Sequence, residues 1–335
     1  MGIVPQKVLF GVPRFTAELS WTDLAAELPG WEISVCPRGQ LADHVDGVDV
    51  VCPWGSPVDA ITLKAGTFGL VQQFGVGLEK VDVQAATELG VWVARIPGDA
   101  GGNAESVAEL AMLQLLALTR RLDETREALW NRRWEQRPIG GTLLGSTILI
   151  VGLGAIGNAV AARLSGFGAR LLGVRAHPDR GGPAWLDEVA GPDQLGRLLG
   201  QADAVLCCAM LHGGNAAMFG EAAFAAMKPG AIFVNVARGG LVDEEALLAA
   251  LESGQLGGAG LDVHAQEPAD PESALLRHPR VFATPHVGGL TWTMFTRTGR
   301  VFAQNLERWA RGEAPRWAVN APAFCRSLRG GAGLR

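Results

Sequence analysis

The chain contains no tyrosine, so no phenolic group can serve as an acid or a base in its chemistry. Cysteine is scarce: Cys36, Cys52, Cys207, Cys208 and Cys325 are five in number, and no two stand in Cys-x-x-Cys spacing. They read as reduced thiols of a cytoplasmic protein; neither a disulfide framework nor a metal site is expected. Long hydrophobic runs are missing as well. Nowhere do about 18 apolar residues follow one another without a glycine or polar break, so no membrane association is expected. The opening MGIVPQKVLFGV is too short and interrupted to be a signal peptide. Positive charge is not in excess, since 29 Lys+Arg face 34 Asp+Glu. A net charge of −5 argues against nucleic acid as a partner. Proline reaches only 18 residues and no Gly-X-Y period is present, so the 45 glycines among 335 residues mark tight turns in a globular protein. That length, with 48% apolar residues, supports roughly two domains of about 150 residues.

What is present is a double alternation of strands and helices. Apolar runs at 7–12, 31–36, 48–54, 69–74 and 90–96 read as strands, with helical patterns at 16–28 and 82–89 between them. A second series has strands at 146–152, 169–174, 203–209, 231–236, 259–263 and 281–284. Helices separate these at 156–167, 192–200, 221–227 and 243–254. Strands alternating with helices imply doubly wound parallel sheets, hence two α/β units. Between the series, Asn103 caps a nearly wholly apolar helix through residue 119, followed by a charged and aromatic arm at 120–138. A helix with no polar face must bury every side, so this segment is expected to form much of a homodimer interface. The last helix, 293–312, has no strand after it.

Gly152-Leu153-Gly154-Ala155-Ile156-Gly157 follows the strand TILIV and opens a helix, with the next strand at βαβ spacing. Gly152 suits a tight turn, Gly154 lets a backbone approach a pyrophosphate, and Gly157 permits close helix–strand packing. The N–H groups of Ala155 and Ile156 then face the anion at the helix N-terminus. The second strand ends at Arg175, where an NAD site presents Asp or Glu to the ribose hydroxyls. A guanidinium matches a phosphate bidentately, so NADP is expected over NAD, with His177 and Arg180 close behind in sequence.

With that fingerprint placed, the segments at 74–98, 103–112, 145–164, 227–251 (MKPGAIFVNVARGGLVDEEALLAAL), 258–268 (GAGLDVHAQEP) and 284–291 (TPHVGGLT) resemble the D-isomer-specific 2-hydroxyacid dehydrogenases. The resemblance implies a Rossmann cofactor domain at 104–289, inserted into a smaller flavodoxin-like substrate domain formed by 1–103 and 290–335. It carries the catalytic trio onto Arg238, Glu267 and His286. Arg238 would pair with the substrate carboxylate and polarise the carbonyl. His286 would deliver the proton, with Glu267 on its other ring nitrogen fixing the tautomer and favouring the protonated ring. The other five histidines (His44, His177, His212, His264 and His278) keep the ordinary reading of packed or surface residues.

In the same resemblance Val76 and Gly77 hold the substrate carboxylate through backbone N–H groups. Cys208, Ala209, Val236, Ala237, Asp262 and Gly288 line the cofactor, with Asp262 at the nicotinamide carboxamide. Asp262 could equally be a buried carboxylate bonded to local backbone. The segment 207–214, CCAMLHGG, departs from the Leu-Pro-Leu-Thr run usual there, so contact would pass through its backbone. The implied activity is NADP(H)-linked reduction of a 2-oxo acid of the glyoxylate or hydroxypyruvate type. The rivals are a formate- or phosphite-type dehydrogenase, disfavoured because Glu267 stands where formate enzymes carry Gln, and a nucleotide-sensing corepressor of the same fold. Trp54, Trp292 and Met294 are candidates to line a side-chain pocket.

Overall fold

The structure is a computed structural model that describes residues 6–12, 24, 26–134 and 137–326. The expected helix at 16–28 falls largely outside the described residues, as does the glycine-rich tail. The chain divides into two compact units, Met1–Asn103 with Thr291–Arg335, and Ala104–Leu290.

The first unit is built on five parallel strands: β1 (Gln6–Phe10), β2 (Trp31–Val35), β3 (Val50–Cys52), β4 (Leu70–Gln72) and β5 (Trp92–Ala94). Their spatial order is β2-β1-β3-β4-β5, the flavodoxin-like arrangement. Short helices α1 (Ala60–Ala65) and α2 (Val83–Glu88) start at Asp59 and Asp82, whose carboxylates accept from Thr62 N and Ala85 N. Near the chain's end, Val319 N donates to Val93 O and Arg95 N to Trp317 O, which lays that segment against β5.

The second unit opens with α3 (Asn103–Thr119) and α4 (Leu122–Trp130). Its seven parallel strands are β6 (Thr147–Val151), β7 (Arg170–Val174), β8 (Glu188–Ala190), β9 (Ala204–Cys207), β10 (Ala231–Asn235), β11 (Leu256–Leu261) and β12 (Val281–Ala283). The order β12-β11-β10-β9-β6-β7-β8 reverses between β6 and β9, as in a Rossmann sheet. Helices α5 (Ala155–Leu164), α6 (Leu195–Leu199), α7 (Glu221–Ala226) and α8 (Glu244–Glu252) connect the strands.

The apolar strand runs have a direct cause. Leu149 and Val151 of β6 enter one buried cluster, while Ile148 and Ile150 enter another on the opposite face. A sheet covered on both faces needs apolar residues at every position, and each fully buried Leu, Ile or Val contributes on the order of 1.5–3 kcal/mol. The two doubly wound parallel sheets are those expected from the alternation. Helix α9 (Trp292–Ala310) places Phe302, Leu306 and Trp309 in one core with Phe10, Val50 and Leu70 of the first unit.

Helix α3 differs in detail from the expectation. The chain itself buries nine of its residues, and its exposed stripe is Glu105, Glu109 and Leu113, with Glu109 paired to Arg163 at 2.9 Å. The apolar surface left over lies after it, on Leu129, Trp130, Trp134, Ile139 and Leu144. Among the described residues no helix is long and apolar enough to cross a membrane, and no group of three His, Cys, Asp or Glu is arranged to hold a metal ion.

Candidate functional site

The glycine turn after β6 has the geometry its spacing implies. Gly152 sits at φ +101, and a Cβ there would lie 2.5 Å from the backbone of Ala209. A Cβ on Gly157 would lie 1.9 Å from the Gly152 carbonyl, so the helix packs onto the turn only because that position lacks a side chain. Gly154 is the N-cap of α5 and no side chain caps that helix; a Cβ on Gly154 would meet nothing within 4 Å. The first-turn N–H groups of Ala155, Ile156 and Gly157 thus have no side-chain cap at the positive end of a ten-residue helix. The turn fits a dinucleotide pyrophosphate. Beside it, Cys208 N donates to Val151 O at 2.8 Å, so Cys208 and Ala209 border the turn through main chain. Burial pushes the Cys207 thiol up to about 12 and raises Cys208 as well, so neither is a nucleophile at neutral pH.

Arg175 follows β7 directly, and its Nη1 donates to the Gly181 carbonyl at 2.6 Å. That bond holds the guanidinium across a turn whose other basic residues, His177 and Arg180, are exposed.

Arg238, Glu267 and His286 come from three loops at the carboxyl ends of β10, β11 and β12, the edge where open parallel sheets hold ligands. The turn carrying Arg238 is shaped by Asn235, a buried residue sequence reasoning passed over. Its Oδ1 accepts from Ala237 N at 3.0 Å and its Nδ2 donates to Arg238 O at 2.9 Å. Val236 and Ala237 are buried there. Arg238 Nη1 donates to Ala237 O at 2.7 Å. The next residue, Gly239, is in such close contact with His264 that a Cβ would fall 1.9 Å from its carbonyl carbon.

His286 stands at φ +56, a left-handed turn unusual for a side chain this large. Its Nδ1 meets Glu267 Oε2 at 2.9 Å and Oε1 at 3.1 Å. Burial alone would raise the Glu267 carboxyl; the bond and charge of His286, the amide of His264 and the His264 charge outweigh it and hold the group below its ordinary value. With side chains 47% and 32% exposed, the pair contributes only about 0–1 kcal/mol to stability, so its consequence is orientation.

The turn itself is fastened from below by Asp262. Its Oδ1 accepts from the Thr284 hydroxyl at 2.6 Å and Val287 N at 2.8 Å, its Oδ2 from Gly288 N at 2.8 Å, and its carbonyl from His286 N at 2.8 Å. Asp262 and Gly288 thus share one clasp beneath the turn of His286. Thr284 Oγ1 also accepts from buried Gln114 Nε2 at 3.3 Å. His264, read from sequence as a packed histidine, is buried but not remote. Its Nε2 donates to Thr284 O at 3.0 Å, the carbonyl that His286 N also contacts, and its amide donates to Glu267 Oε1 at 3.2 Å. One buried residue thus reaches both members of the pair, through its imidazole on the His286 side and its amide on the Glu267 side.

Val76 and Gly77 lie in the first unit, in the turn after β4, and are not among the residues the second unit gathers. Gln73 folds that turn: its Oε1 accepts from Phe74 N at 3.0 Å and its Nε2 donates to Gly77 O at 2.6 Å.

A family model described as D-isomer specific 2-hydroxyacid dehydrogenase, NAD binding domain, matches residues 112–288. The chain is 36% identical to a glyoxylate reductase of Korarchaeum cryptofilum over 88% of this chain and 90% of the relative. The chain belongs to this dehydrogenase family. It is also 38% identical to a D-3-phosphoglycerate dehydrogenase of Mycobacterium leprae over 78% of this chain, but spans about half (49%) of that relative's length. Among solved structures, it is similar to an NADPH-dependent glyoxylate/hydroxypyruvate reductase from Sinorhizobium meliloti in complex with NADP and malonate. The TM-score is 0.80 at 27% identity, covering 97% of this chain and 100% of that one. The protein is thus a 2-hydroxyacid dehydrogenase, an oxidoreductase with a nicotinamide dinucleotide site.

Proposed function

We propose that this dehydrogenase reduces small 2-oxo acids to D-2-hydroxy acids with NADPH. The observation that carries the reading is the His286–Glu267 pair, set on a left-handed turn, in one unit with Arg238 and an uncapped glycine-turn helix. The second unit is the cofactor domain and the first the substrate domain. When bound, the dinucleotide supplies the hydride. Gly152, Gly154, Ala155, Ile156 and Gly157 hold its pyrophosphate, and Arg175 meets a 2′-phosphate at the end of β7. Cys208, Ala209, Val236, Ala237, Asp262 and Gly288 line the remainder of its site.

The protein's own groups then divide the work. Arg238 pairs with the substrate carboxylate and stabilises negative charge growing on the carbonyl oxygen. Val76 and Gly77 offer backbone N–H groups to the same carboxylate. His286, with Nδ1 held by Glu267, passes a proton from Nε2 to that oxygen, leaving a neutral imidazole. A carboxylate at 267 rather than an amide supports a reaction that needs a protonated ring, against a formate-type oxidation that takes up no proton at this place. The exposed Leu129, Trp130, Trp134, Ile139 and Leu144 support a homodimer built on α4 and the arm after it.

The test follows NADPH and NADH oxidation at 340 nm with glyoxylate, hydroxypyruvate and phenylpyruvate as acceptors. Turnover with NADPH supports the reading; no acceptor reduced with either nucleotide would overturn it.

A further inference from the structure

In the first unit the strand order reverses at β1, with β2 on one side and β3 on the other. Ligands of open parallel sheets bind where the order reverses, at the carboxyl ends of the two strands flanking that point. Gly11, one residue past β1, approaches the turn after β3 so closely that a Cβ would lie 2.7 Å from Pro53 O. The next residue in that turn is Trp54, at φ +47. A bulky residue in the left-handed region is strained and persists where its surroundings fix it, most often at functional sites.

Its surroundings are aromatic. The Trp54 ring lies 4.8 Å from Phe74, 6.3 Å from Phe10 and 5.9 Å from Phe295, to which it is parallel within 7°. Behind them Phe302 packs on Phe10 at 5.3 Å and on Phe74 at 5.4 Å. Phe10, Phe74 and Phe302 are buried and belong to the core of the unit. Trp54 and Phe295 are only partly buried, and their stacked rings form the outer layer of the cluster. Phe74 is also the first residue of the turn that ends in Val76 and Gly77. The turn Pro53-Trp54-Gly55-Ser56-Pro57 contributes no charged side chain to meet a phosphate or second carboxylate. Of the other pocket candidates, Met294 is buried in the core and Trp292 is 62% exposed.

We propose that Trp54, stacked on Phe295 beside Phe74, is the wall against which the substrate side chain lies, and that the preferred 2-oxo acid carries a bulky apolar or aromatic side chain. The inference rests on the reading that the Phe74–Gly77 turn takes the substrate carboxylate.

The experiment measures kcat/KM with NADPH for phenylpyruvate, 4-methyl-2-oxopentanoate, glyoxylate, hydroxypyruvate and 3-phosphohydroxypyruvate. Covering part of an aromatic side chain and stacking it predicts a preference for phenylpyruvate over glyoxylate of roughly tenfold or more. Trp54→Ala lowers that ratio by roughly tenfold, and Trp54→Phe keeps most of it. Phe295→Leu lowers it as well, which keeps the test open if Trp54→Ala does not fold. Glyoxylate or the phosphorylated acid preferred by the wild type, or a ratio unchanged in these variants, overturns the inference while the reductase reading stands. Failure to reduce any 2-oxo acid overturns both.

Discussion

Replacing Arg175 with Asp tests the cofactor assignment at one side chain. Arg175 stands one residue past β7, with Nη1 spent on the Gly181 carbonyl at 2.6 Å. A guanidinium has five donors in a fixed fork, so an anchored Nη1 still leaves a pair for a phosphate edge. The 2′-phosphate of NADP carries close to two negative charges near neutral pH, and a charge-assisted pair to it is worth about 1.5–3 kcal/mol, roughly 10–150-fold in affinity. Aspartate removes that attraction and sets a carboxylate against the phosphate, while the same carboxylate accepts bonds from the bare ribose hydroxyls of NADH. The contact is equal in ground and transition states, so the change should appear in KM for the nucleotide and leave kcat nearly untouched. The assay is kcat/KM for NADPH over NADH at fixed 2-oxo acid, for wild type and variant. The wild-type ratio should exceed one, and the variant ratio should fall by at least tenfold. His177 and Arg180 are exposed in the same turn and should hold part of the phosphate affinity, so the expected NADPH binding is weakened and not abolished. A wild type that prefers NADH, or a ratio the substitution does not move, refutes the reasoning.

Three further outcomes are expected. His286→Ala should leave NADPH binding intact by fluorescence titration and lower kcat about 10²–10⁴-fold, whereas Arg238→Ala should damage KM and kcat together; a His286→Ala enzyme with half of wild-type kcat would contradict the proton-donor assignment. The Glu267 carboxyl titrates below its ordinary value in the folded protein, so its contribution to stability is present above the unfolded pKa and is lost as pH falls through the folded one. Thermal melts from pH 6 to 3 should therefore fall more steeply for wild type than for Glu267→Gln, and parallel curves would show that the pair carries no linkage. The protein should run as a dimer by light scattering at micromolar concentration and shift toward monomer in Trp134→Asp; a monomeric wild type would remove the interface assigned to the arm.

How much of this was legible in the sequence depends on what each feature asks of the chain. The strands of both sheets stand out because burial on two faces demands apolar runs such as ILIV in β6 and AIFV in β10. Strand β8 was not read, since a three-residue edge strand flanked by Asp187 and Gly191 leaves too short a run to register. Helix α1 escaped for a similar reason: six residues make less than two turns, and its one clear mark is the Asp59 cap. The glycine turn was legible at single positions because Gly152 and Gly157 are imposed by approaches of 2.5 and 1.9 Å that no side chain could survive.

The supports of the site are another matter. Arg238, Glu267 and His286 were reached through the family motifs that surround them, but nothing local marks Gln114 or His264 as groups beneath them. Asn235 did leave a trace: a polar residue closing an otherwise apolar buried strand must find partners, and it finds both in the turn that presents Arg238. His264 left none, because its partner Thr284 is twenty residues away. A hydrogen bond across that separation is fixed by the parallel packing of β11 against β12, in which Leu261 stands beside Ala283. Sheet register, which no single segment encodes, brings the His264 side chain beneath the turn of His286. The motifs that carry the candidate groups are properties of the sequence; their common footing is a property of the fold.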